Sequence, residues 1–82
     1  MRTRIKYYQY SDTLMTDWFT VGPNLIVRGV ITTNNTWSVM TFDSDLIVSG
    51  SSSNLRYAKI ELRKQLILSG VKLGEEIKVV TV

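Results

Sequence analysis

The sequence holds no cysteine and no histidine among its 82 residues. Without cysteine there are no disulfides, no thiolate metal ligands and no cysteine nucleophile. Without histidine the commonest general base and metal ligand is gone as well. Long apolar runs are missing too. The longest span three residues (25–27, 46–48 and 66–68), against the roughly 20 that a membrane helix requires. Residues 1–10 are basic and aromatic rather than apolar, unlike a secretory signal. These absences predict a cytoplasmic protein that is not an enzyme and that carries no metal or other cofactor.

What is present predicts one folded domain. Hydrophobic residues make up 44% and charged residues 21% of the chain, which is too apolar for disorder driven by low hydrophobicity. A chain this short buries only about 60–65% of the surface its unfolded form exposes, so its core must be small.

The net charge of +3 is unevenly spread. Arg2, Arg4 and Lys6 open the chain with no acid among them. Residues 11–53 set Arg28 against Asp12, Asp17, Asp43 and Asp45. Residues 54–72 set Arg56, Lys59, Arg63, Lys64 and Lys72 against Glu61 alone. Two basic segments flank an acidic middle, and such asymmetry speaks to partners more than net charge does.

Hydrophobic periodicity predicts several strands. In residues 1–10, Ile5 and Tyr7 alternate with Arg2, Arg4, Lys6, Tyr8 and Tyr10, a period of two that suits a half-buried strand. Residues 11–15 break the pattern. Residues 18–21, 25–32, 36–42, 46–49 and 77–82 follow as strand candidates, several of them rich in β-branched residues. They are separated by the turn signals Gly22-Pro23-Asn24, Asn34-Asn35 and Asp43-Ser44-Asp45.

One helix is predicted over residues 55–69. Ser53 or Asn54 supplies an N-cap, and Gly70 stands where a left-handed C-terminal cap belongs. Leu55, Ala58, Leu62, Leu66 and Ser69 recur at spacings of three and four, which places them on the face against the sheet. The expected fold is therefore α+β: a small antiparallel sheet of four to five strands packed on one helix, in the order β-β-β-β-α-β.

Familiar chemical motifs are absent. Asp43 and Asp45 lack the glycine and terminal glutamate of a calcium loop. Gly70 to Gly74 follows a helix rather than preceding one, unlike a phosphate loop.

Two features point to nucleic acid. Arg56, Lys59 and Arg63 form one charged helical stripe, the first two lie where the helix N-terminus already favours an anion, and Lys64 is a further candidate for phosphate contact. Arg2, Arg4 and Lys6 share a face of the first strand with Tyr8 and Tyr10, a mixture suited to backbone contact and base stacking. Against this stand plainer roles: a solvated helix face, and basic residues guarding a sheet edge from aggregation.

Residues 36–71 resemble the C-terminal half of a double-stranded RNA-binding domain. Trp37-Ser38-Val39-Met40-Thr41-Phe42, the turn at Asp43-Ser44-Asp45 and Leu46-Ile47-Val48-Ser49-Gly50 stand for its two strands. Ser53-Asn54-Leu55-Arg56-Tyr57-Ala58-Lys59 stands for its helix start. The resemblance implies RNA as the ligand, with Arg56 and Lys59 on phosphates. Leu55 and Tyr57 depart from the family's polar positions, and the family's first helix has no counterpart. Three-stranded DNA-binding sheets with one helix fit the pattern almost as well, so duplex DNA stays open.

Tyr57, Ile60, Ile67 and Leu68 lie away from the core stripe on the helical wheel. They predict an interface, either in a homodimer or in a complex with another protein. Small basic domains without catalytic residues are common among phage proteins that inhibit host machinery, and this makes a protein-binding inhibitor of the antitoxin or anti-defence kind the competing function.

Overall fold

A computed structural model describes residues 4–74 and 76–77. Seven strands and one helix are present among them. They are β1 (Tyr7–Tyr10), β2 (Thr13–Thr16), β3 (Trp18–Val21), β4 (Leu25–Ile31), β5 (Thr36–Thr41), β6 (Leu46–Ser51), α1 (Leu55–Leu68) and β7 (Glu76–Ile77). The strands form one antiparallel sheet with the helix packed on one face, the α+β arrangement that the sequence predicts.

β4 organises the sheet. One of its edges pairs with β5 along most of its length, and β5 in turn pairs with β6. Its other edge is shared. β3 takes the Leu25–Val27 end and β2 takes Val30 and Ile31. β1 then adds to β2, and β7 to β3. Between the pairs Met15↔Val30 and Phe19↔Val27 three residues stand opposite two, so the chain bulges at Thr16 to Trp18. The bulge reverses the inward parity, so that Leu14 and Thr16 before it and Phe19 and Val21 after it all turn toward the core.

The strand count exceeds the four to five expected, mainly because residues 11–15 do not end the first strand. They turn it back. Tyr10 pairs with Thr13 across a two-residue loop whose first member, Ser11, has φ of 56°. Such loops usually carry glycine or asparagine there, and a serine gives no signal. Residues 4–6 precede β1 instead of belonging to it, and β6 runs on to Ser51.

The helix begins at Asn54, whose side chain accepts the Tyr57 N–H at 2.9 Å. It ends at Ser69, followed by Gly70 at φ of 100°, and the Val71 N–H returns to the Leu66 carbonyl. Ala58, Leu62 and Leu66 are fully buried against Phe19, Val27, Ile31, Trp37 and Val39. Leu55 does not join them: it is 41% exposed, at the first turn of the helix. Ser69 is half-buried and donates its hydroxyl to the Gln65 carbonyl. Arg2, and the part of the last predicted strand beyond Ile77, lie outside the described residues.

Candidate nucleic-acid interface

The residues before β1 run beside the helix. Arg4, Ile5 and Tyr7 line one side of a groove of about 260 Å³, and Lys59, Ile60 and Arg63 line the other. This placement follows from two periodicities. Tyr7 faces Thr16 in the β1–β2 ladder and so turns to the helix side of the sheet. Lys59 and Arg63, four residues apart, rise on the same flank of α1. The Lys59 ammonium sits over the Tyr7 ring, 5.0 Å from its centre.

The groove is cationic with an apolar floor. Among the described residues no Asp or Glu lines it. Glu61 lies elsewhere: at 100° per residue it falls on the opposite flank from Lys59 and Arg63, where it pairs with Lys64 at 3.9 Å, so the structure places Lys64 off the groove. That pair is exposed and contributes little to stability. Burial pushes the Tyr7 hydroxyl up to about 12, against a smaller opposing pull from Arg63. The ring is thus a neutral hydrogen-bonding group at physiological pH. Arg56 is exposed one turn before Lys59 and extends the stripe toward the helix start.

The structure does not gather every basic and aromatic candidate on one face. Arg4 lines the helix-side groove, whereas Tyr8 lies across the sheet and donates its hydroxyl to Asp17 at 3.2 Å. Tyr10 is 72% exposed at the end of β1, and Lys6 is exposed just before the strand's start. Alternation fails to carry Arg4 along with the tyrosines because residues 4–6 are not strand.

A second cluster on the sheet face away from the helix was not visible in the sequence. The Arg28 guanidinium stacks over Trp18, 4.1 Å from the ring centre, and Trp18 meets Phe42 at 5.3 Å. Arg28 also donates to the Thr16 carbonyl at 3.3 Å and the Met15 sulfur at 3.4 Å. Burial lowers the Arg28 pKa, with Asp17 and Tyr10 acting in the opposite sense. These contacts occupy Arg28 within the fold. Only the closeness of β2, β3 and β4, created by the bulge, brings its partners together.

The helix residues predicted as an interface are all outward. Tyr57 is 56%, Ile60 47%, Ile67 49% and Leu68 72% exposed. Neither the β1–β2 hairpin nor the described part of β7 covers them, because both are built into the sheet. Among the described residues no cluster of acidic side chains could hold a metal ion, and no helix is long and apolar enough to cross a membrane. Compared with known protein families, curated protein sequences and solved structures, the chain matches none.

Proposed function

We propose that this protein binds nucleic acid, RNA in preference to duplex DNA, without catalysing a reaction on it. The observation that carries the reading is the convergence of Arg4, Lys59 and Arg63 on one groove with apolar residues between them. Three cations along a groove suit successive phosphates, and Ile5, Tyr7 and Ile60 offer apolar contact to sugar or base. Arg56, at the head of the same stripe, lengthens the track. The preference for RNA rests on the resemblance of residues 36–71 to a double-stranded RNA-binding domain.

The test is a salt titration of binding to RNA and DNA duplexes and single strands of mixed sequence. Binding should weaken linearly in log–log form, with a slope near −0.9 per phosphate contacted on a duplex. Undetectable binding to every ligand at low salt would remove this reading.

A second reading has its own support. Tyr57, Ile60, Ile67 and Leu68 leave apolar surface outward on α1, as a protein-binding inhibitor would need. Retention of one defined protein partner after nuclease treatment would favour it over RNA binding.

A further inference from the structure

We propose that β6 is the pairing strand of a two-fold symmetric dimer of this chain, an inference independent of the nucleic-acid reading. β6 pairs with β5 and, among the described residues, with no other strand. The hydrogen-bond phase fixes which groups it leaves open. The Ser52 N–H donates to the Asn35 carbonyl, and the register continues from that pair through Trp37↔Gly50 and Val39↔Val48. Bonded and non-bonded pairs alternate in an antiparallel ladder, so Ser49 and Ser51 turn their N–H and C=O away from β5.

Apart from a bulge at Ile47, this edge has none of the usual guards. The β1 end is preceded by exposed Arg4 and Lys6, and β7 contains Glu76. β6 reads Leu46-Ile47-Val48-Ser49-Gly50-Ser51, six residues without charge or proline. Proteins ordinarily blunt a free edge of this kind with lysine, proline or a covering loop. The bulge opposite Val39 and Met40 affects only the start of β6 and leaves its second half regular.

Charge complementarity identifies the occupant as a second copy. Antiparallel self-pairing sets the beginning of each β6 against the end of the other. The beginning follows the acidic turn holding Asp43 and Asp45, and the end leads into the start of α1, with Arg56 and no acidic residue in its first turn. With the two-fold axis at Ser49 or Gly50, Asp45 of one copy lies against the loop or first helical residue of the other. Acid therefore meets the positive helix terminus and Arg56, twice per dimer.

The experiment is sedimentation or light scattering on the intact chain over a range of protein concentrations, together with Ser49→Pro and Ser49→Lys. Neither substitution disturbs the β5 ladder, because the Ser49 N–H points away from it, and proline is tolerated on the open side of an edge strand. The wild type should show the mass of two chains. Both variants should lose the dimer while keeping the wild-type circular dichroism. Amide exchange should show Ser49 and Ser51 protected in the wild-type dimer and Ser51 open in the variants. Asp45→Arg and Arg56→Asp should each weaken association, and the double exchange should restore it. A monomeric wild type at all concentrations, or a dimer that survives both Ser49 substitutions, overturns the proposal.

Discussion

The hydroxyl of Thr16 accepts the Gly29 N–H at 2.8 Å and donates to the Asp17 carbonyl at 2.8 Å, standing in for a rung that the bulge removes from the sheet. Thr16 is fully buried, so no water can replace it. Thr16→Val keeps the shape and strands the amide of Gly29. The expected loss is about 1–3 kcal/mol, the cost of a buried donor without a partner. Urea unfolding should show a lower midpoint with an unchanged slope. Thr16→Ser, which keeps the hydroxyl, should lose less.

Gly50 lies beneath the buried ring of Trp37. A methyl group placed there would overlap the benzenoid edge of the indole. Gly50→Ala should destabilise by about 1–3 kcal/mol through overpacking and should shift the Trp37 emission. At Gly29 an added methyl meets Leu62 Cδ2 at 2.7 Å, and a leucine tip rotates more readily than an indole. Gly29→Ala should therefore be the milder change, despite its place in the central strand.

Local signals in the sequence located the helix and most strand boundaries. Asn54 and Gly70 end α1 through bonds made within a few residues, and the turn at 22–24 depends on glycine and proline alone. What stayed hidden depends on contacts distant in sequence. The bulge at Thr16 needs Gly29 as its partner, so alternation read along 13–21 shows no single register. Arg28 looked like a lone cation among acids, and its stack on Trp18 exists only because β3 pairs with β4. In the candidate site, the helical stripe of Arg56, Lys59 and Arg63 was legible at spacings of three and four. The crossing of Arg4 and Tyr7 beside it was not, because residues 4–6 leave the strand pattern that their alternation suggested.

Tyr7 couples the groove to alkaline pH. Its folded pKa of about 12 lies above the ordinary 10.0, because burial disfavours the phenolate. Above pH 10 the unfolded chain releases this proton more readily than the folded one. The Tyr7 contribution to stability is therefore intact below pH 10 and is lost as pH rises through 12. Urea midpoints measured through that window should fall more steeply for the wild type than for Tyr7→Phe. Parallel curves would show that Tyr7 is not buried against α1 as described.

The groove itself gives the decisive binding prediction. Arg4, Lys59 and Arg63 should act together, and replacing any one with glutamine should flatten the salt slope by about one and weaken all nucleic-acid sequences alike. Lys59 also sits over Tyr7, so its loss should cost about 0.5–1 kcal/mol of stability as well. Circular dichroism and urea unfolding separate that effect from binding. Lys59→Glu with Arg63→Glu places two acids where phosphates would lie, and it should abolish binding at low salt while the fold persists. Tyr8→Ala and Tyr10→Ala lie off the groove, and they should leave duplex binding unchanged. If these rings stack on bases, single-stranded ligands alone should weaken, by about 1–3 kcal/mol per base. Should the doubly reversed protein still bind RNA as the wild type does, phosphate does not enter this groove. The exposed apolar surface of α1 would then become the place to look for function.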